Sequence, residues 1–205
     1  MKDIEKELRA LLDREAGAIS AIPISKDYGE VVELIYRRVH EKGGKVIASG
    51  MGKAGHVANH IATTLSSTGT PSIFIHPSEA QHGDLGVIRE NDVLLVLSNS
   101  GKTSEIIKLV ELTHILHPGI PVVVITGNTD GPLAKQSGLI LFTGGPEEVC
   151  PLGLTPTTSA TTMTVIGDLL VVLMMKRIKF TAADYSKRHH GGYLGEKSRE
   201  KGDED

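Results

Sequence analysis

The apolar positions of this chain follow two different periods. Up to about residue 42 they recur every three or four residues, as on the buried stripe of a helix. This predicts one helix over about Asp3–Ile22 and another over about Lys26–Lys42, with Pro23 between them, Ser25 as an N-cap and Gly43-Gly44 as the C-cap. Beyond Gly44 the pattern changes to short apolar, β-branched runs separated by helical stretches. Strands are expected at Lys45–Ser49, Ser72–Ile75, Val93–Leu97, Pro121–Thr126 and Gly138–Phe142. Helices are expected at Ala54–Ser67, Thr103–Leu116 and Pro132–Gln136, with a polar turn and short helix over Pro77–Gly86. The strands do not alternate apolar with polar, so both faces are covered. Right-handed crossovers then give one parallel sheet between two helix layers.

A long helix is predicted over Thr157–Lys179, and Thr181 with Asp184 reads as the capping box of a last short one. The long helix is apolar nearly all round, from Met163 to Met175. One domain of this size hardly covers every face of it, so either it is central or a second subunit covers it, and the subunit interface is the favoured reading. Its apolar run is short and carries Asp168, which argues against a membrane span.

Composition narrows the function classes. Lys and Arg number 22 against 25 Asp and Glu, a balance that disfavours nucleic acid as the main partner. Three Phe, four Tyr and no Trp disfavour base-stacking surfaces. Cys150 is the only cysteine, so no internal disulfide forms and a reducing cytosol is the simplest setting. The opening MKDIEKELRA lacks the apolar run of a signal peptide, so a cytoplasmic protein is expected. The charged stretch 196–205 reads as a flexible tail.

The richest chemistry lies in Leu94–Glu105, LLVLSNSGKTSE. A buried strand opens into Ser98-Asn99-Ser100-Gly101, and a helix follows from Thr103. The hydroxyls of Ser98, Ser100 and Thr103, with the free N–H groups of the helix start, can converge on one anion. No Lys-Ser/Thr pair closes the loop, so it is not an ATP-type loop and suits a small monophosphate. A second glycine loop, Gly50-Met51-Gly52-Lys53-Ala54-Gly55, fits the dinucleotide fingerprint after a strand. The acidic residue expected at the end of the next strand is replaced by His76-Pro77, so an NAD-linked enzyme is the rival reading rather than the main one. Two loops at strand carboxyl ends flank one crevice, and Lys53 can reach a ligand there. His76, His82 and Asp84 match no standard zinc spacing and Cys150 completes none, so no metal is expected.

These loops, in this order, resemble the sugar isomerase (SIS) domain, and the blocks HGDLG, SNSG and PLGLTPTTS resemble its arabinose 5-phosphate isomerase branch. The likeness covers about Ile35–Gly195. It implies a three-layer α/β sandwich with a five-stranded parallel flavodoxin-like sheet, forming a single SIS domain over 1–195 with N-terminal helices. It implies interconversion of ribulose 5-phosphate and arabinose 5-phosphate through an enediol, with no cofactor, supplying the acidic sugar Kdo for lipopolysaccharide or capsule. Carried over by position, it puts the catalytic set at Lys53, Glu105, Glu148 and His189. It puts phosphate contacts at Ser98, Asn99, Ser100 and Thr103, with Ser49, Gly50 and Gly52 in the first loop. His82, Asp84, Thr157 and Thr158 would line the pocket.

Glu148 is the candidate base, which requires its pKa to be pushed upward by burial. Glu105, at a helix start, is held charged and would orient hydroxyls or act as a second proton relay. His189 would open the sugar ring or carry protons, and Lys53 would stabilise enediolate or phosphate charge. A site residue as far along the chain as His189 points to active sites shared between subunits of a homo-oligomer, a tetramer by analogy. Two departures are visible. Members of this branch usually carry a tandem CBS pair after the domain, and the expectation here is a chain without CBS domains, regulated at the catalytic domain itself, with CMP-Kdo as a candidate feedback ligand. The usual His-Pro-Gly-Gly reads His189-His190-Gly191-Gly192. The rival functions are isomerisation of another phosphosugar, such as a hexulose phosphate, and non-catalytic sugar-phosphate sensing.

Overall fold

The structure is a computed structural model that describes residues 2–191, 193, 197 and 198. Most of the expected 196–205 tail therefore lies outside the described residues, as does Gly192.

The sheet is built from β1 (Val46–Gly50), β2 (Ser72–Phe74), β3 (Val93–Leu97), β4 (Val122–Thr126) and β5 (Leu139–Phe142). All neighbours pair in parallel, in the order β2-β1-β3-β4-β5. Every residue of β1, β3 and β4 is buried, as expected for strands covered on both faces. One layer comprises α1 (Lys2–Ser20), α2 (Asp27–Ile35), α3 (Gly52–Ser67) and α7 (Thr158–Arg177). The other comprises α4 (Pro77–Ala80), α5 (Ser104–Leu116) and α6 (Pro132–Gln136). Their buried side chains form two clusters, one on each side of the sheet. α8 (Ala182–Ser186) follows α7, with Thr181 and Asp184 in the predicted capping box.

The chain order of the strands reverses direction between β1 and β3. α3 leaves β1 toward one edge and α5 leaves β3 toward the other, so their starts diverge and open a crevice. The turn from β1 into α3 is tight. A Cβ on Gly50 would lie 2.7 Å from the Ala54 carbonyl oxygen, and one on Gly55 would lie 2.6 Å from that of Gly50. These two glycines let strand and helix backbones touch. Asp92 fastens the opposite end of β3. It is fully buried, takes the Lys45 ammonium at 2.7 Å, and accepts from the Lys45 and Arg89 amides.

The second predicted helix is regular only to Ile35 and then widens into a π-helical turn over Tyr36–Glu41. Gly43, at φ +72°, ends it, with its amide bonded to the Val39 carbonyl and that of Gly44 to Arg38. The long helix is half covered. Met163, Ile166, Leu170, Val171 and Met174 are buried, while Leu169 and Val172 remain 43% and 47% exposed. α7 is long and apolar enough to cross a membrane by composition, yet half of its most apolar window is buried within this fold.

α3 and α7 meet at Gly167, where a Cβ would fall 2.3 Å from Cγ1 of fully buried Ile61. Gly167→Ala is therefore expected to destabilise the fold by about 1–3 kcal/mol through overpacking. Chemical denaturation checks this, and an unchanged midpoint would show that the two helices can move apart at no cost.

Candidate active site

At the carboxyl ends of β1 and β3 lies a cleft of about 660 Å³. Three segments wall it. The first is the β1–α3 turn, through Met51, Lys53 and Ala54. The second is the β3–α5 loop, through Ser98, Asn99, Ser100 and Thr103. The third is the loop after β5 with the start of α7, through Glu147, Glu148, Leu154, Ser159 and Met163.

The β3–α5 loop is held by its own side chains. Ser98 is buried, and its hydroxyl lies 2.9 Å from that of Thr103, which closes the loop across its base. Gly101, at φ +64°, makes the turn that returns the chain to α5. Asn99 packs against Gly127, where any Cβ would lie 2.3 Å from its Oδ1. Thr103 has extended backbone and leads into α5 without making a side-chain cap, so the first amides of that helix lack an N-cap partner. Lys53, exposed on the first turn of α3, brings positive charge to the opposite wall.

Glu148 is the most constrained group in the cleft. Oε2 accepts from the Thr157 amide at 2.7 Å, the Thr157 hydroxyl at 2.9 Å and the Ser159 amide at 3.2 Å. Oε1 accepts from the Ser159 hydroxyl. The carboxylate thus caps α7 from outside the helix. Burial works to raise its pKa, but these donors outweigh burial and hold it below the usual carboxylate range. The expected upward shift is reversed. Burial acts in the expected direction, but the amides of a helix start nine residues on are not visible from Glu148's neighbours in sequence. Glu105 behaves as expected. Its own amide and the Ser104 hydroxyl, at 2.9 Å, outweigh burial and hold it below the usual carboxylate range.

Not every sequence-predicted residue lines the cleft. The Ser49 hydroxyl is fully buried and donates to the Ile75 carbonyl at 2.8 Å, so it ties β1 to the end of β2. Gly50 and Gly52 shape the turn, the latter at φ +56°. His82 and Asp84 are exposed on the turn after α4 and lie outside the cleft wall. Thr157 and Thr158 face the Glu148 loop rather than the cleft. Glu105 sits on the first turn of α5, beside the wall but not in it. His189 is elsewhere. It stacks on Tyr185 with ring centroids 3.7 Å apart, beyond the far end of α7. A twenty-residue helix spans about 30 Å, so His189 cannot reach its own chain's Glu148. Sequence reasoning did not single out Met51, Glu147, Ser159 or Met163 as cleft residues. Ser159 alone had a signal, as a hydroxyl in the first turn of a predicted helix. Among the described residues no group of His, Cys, Asp and Glu has the arrangement to hold a metal.

Comparison with known proteins bears on this site. The SIS domain family matches residues 39–173. The arabinose 5-phosphate isomerase KdsD of Pseudomonas aeruginosa is 45% identical over 184 residues, 90% of this chain and 55% of that protein. KdsD of Escherichia coli K12 is 46% identical over 154 residues, 75% of this chain and 46% of that protein. The chain thus spans about half the length of the curated relatives it matches. Among solved structures, a Bacteroides fragilis protein assigned as a phosphosugar isomerase involved in capsule formation is 59% identical. It superposes with TM-score 0.91 over 93% of this chain and 99% of that one. An E. coli CFT073 protein solved in complex with arabinose 5-phosphate is 31% identical, with TM-score 0.84 over 92% and 98% of the two chains.

Removing one donor from Glu148 should raise its pKa and weaken the fold. Because the folded-state pKa is depressed, this stabilisation is present above the unfolded value of about 4.3 and is lost as pH falls through the folded value. Ser159→Ala is expected to lose about 1 kcal/mol at pH 7, a difference that vanishes in acid. Denaturation of both proteins across pH checks this. An equal gap at every pH would remove the charged hydrogen bond as its cause.

Proposed function

The chain belongs to the SIS domain family, and we propose that it interconverts D-ribulose 5-phosphate and D-arabinose 5-phosphate. The observation that carries this reading is the pairing, in one cleft, of a neutral phosphate-type loop with a fixed carboxylate and a lysine. The relatives named above support the choice of sugar.

The chemistry needs no change of oxidation state. The phosphate binds at Ser98, Ser100 and Thr103 and at the start of α5, far from the reacting carbons, and its binding energy serves orientation. Ribulose 5-phosphate is open-chain, because its 5-oxygen is esterified. Glu148 removes a proton from C1, the electron pair moves toward the carbonyl at C2, and a cis-enediol forms. The proton returns at C2 to give the aldose, and the hydroxyl proton moves between the two oxygens. Glu148 is already ionised before substrate arrives. Substrate displaces water from the cleft, which favours the neutral form and raises the carboxylate's basicity. Lys53 offsets negative charge on the enediolate or the phosphate. Glu105 orients hydroxyls from the first turn of α5. The product can cyclise, so the reverse direction needs ring opening, which is the role proposed for His189.

His189 can serve only a neighbouring chain's cleft, since α7 separates it from its own. We therefore propose a homo-oligomer with shared sites. The half-exposed stripe of α7 with Leu169 and Val172 is the face to be covered. The product would feed Kdo synthesis for lipopolysaccharide or capsule, and the same crevice would accept CMP-Kdo as a feedback ligand.

Purified protein with ribulose 5-phosphate, without metal or cofactor, is expected to yield arabinose 5-phosphate by NMR, and added CMP-Kdo should slow it. Glu148→Gln and His189→Ala are each expected to lose about 10²–10⁴-fold in kcat. Binding of the sugar phosphate without conversion would favour the sensor reading. Co-expressed Glu148→Gln and His189→Ala chains should recover part of the activity, since mixed oligomers contain sites with both native residues. Failure to recover any would count against shared sites.

A further inference from the structure

The peptide unit between Glu148 and Val149 is held at both of its polar groups. Its carbonyl accepts from Arg14 Nη2 at 3.1 Å. Its N–H donates to the hydroxyls of Thr157 and Thr158, each at 3.2 Å. The Thr158 hydroxyl, itself buried, donates onward to Glu15 Oε1 at 3.0 Å. Arg14 and Glu15 are adjacent on α1, and their partners lie 134 and 143 residues away in the chain. Successive side chains diverge by about 100° around a helix. One residue thus reaches the carbonyl end of the peptide while the other reaches the hydroxyl at its amide end.

α1 contributes nothing to the cleft wall. Packing on α7 would need only its apolar stripe. Glu15 exceeds that need. Its Oε2 is buried with no hydrogen-bond partner, a cost that an apolar residue at this position would avoid. What Glu15 and Arg14 achieve together is to stop the 148–149 peptide from rotating. The direction of the Glu148 side chain depends on that peptide's orientation. A misplacement of about 1 Å at a reacting group can cost on the order of 100-fold in rate.

We infer that Arg14 and Glu15 are positioning residues, and that α1 acts as a clamp aiming the Glu148 carboxylate into the cleft. The inference rests on the reading of Glu148 as the base. With ribulose 5-phosphate as substrate, Arg14→Ala and Glu15→Ala are each expected to lower kcat at least tenfold. KM should change less than twofold, because the phosphate wall is untouched. Glu15→Gln retains an acceptor for Thr158 and should recover most of the loss. In a Glu148→Gln background, Arg14→Ala should have no further effect. A folded Arg14→Ala protein with unchanged kcat would overturn the clamp, as would the same loss in the Glu148→Gln background. Amide hydrogen exchange supplies a readout independent of turnover. Arg14→Ala should speed exchange in segment 146–156 at least tenfold and leave β1 and β3 unaltered, whereas unaltered exchange in 146–156 overturns the clamp. Faster exchange in a protein whose wild type has no turnover would support the clamp and overturn the isomerase reading instead.

Discussion

The site depends on one interaction, the capping of α7 by the Glu148 carboxylate. A helix start leaves its first amides without partners, and here two of them converge on Oε2. The same contact does three things. It starts a helix whose own N-cap residue, Thr157, makes no side-chain cap. It folds the 146–156 loop back over the cleft. It keeps a carboxylate ionised beside a phosphate-type loop. Burial alone would have favoured a neutral acid there. The two walls of the cleft therefore differ in kind, one offering donors to an anion and the other already holding one.

The position of the cleft follows from the order of the strands. Helices leaving β1 and β3 go to opposite faces, and only between those two strands does the sheet expose its carboxyl end without a crossing helix. Gly50, Gly55 and Gly101 are where backbone must approach backbone or turn into the left-handed region, and they fix the edges of that opening. α7 then sets a scale. Its start bears on Glu148 and its end carries α8 and His189 away, so these two side chains lie at opposite ends of one helix.

Much of this was legible in the sequence. The five strands are short, mostly apolar runs, and their bounds fall within one residue of expectation. The SNSG loop and the Gly-Met-Gly-Lys loop are local signals, and both line the cleft where expected. What was not legible depends on contacts between distant segments. The ionisation of Glu148 is decided by the hydroxyls and amides of Ser159 and Thr157, eleven and nine residues on. The use of the Ser49 hydroxyl is decided by a carbonyl 26 residues on. His82 and Asp84 form a recognisable block, yet the turn that carries them ends outside the cleft wall. The contacts of Arg14 and Glu15 have no local signature, since both are ordinary charged residues of an amphipathic helix.

The distance along the chain between α1 and α7 has a consequence for synthesis. α1 leaves the ribosome before the sheet and its partner helix after it. At about 5–20 residues per second, a new chain carries an undocked amphipathic helix for many seconds. The strands can pair during that time, because all five precede α7 in the chain. The cleft cannot be completed, because the loop bearing Glu148 has neither α7 to cap nor, until α7 docks, α1 correctly seated against it. Formation of the site is thus among the last events of folding, and a nascent chain is sheet-competent well before it is ligand-competent.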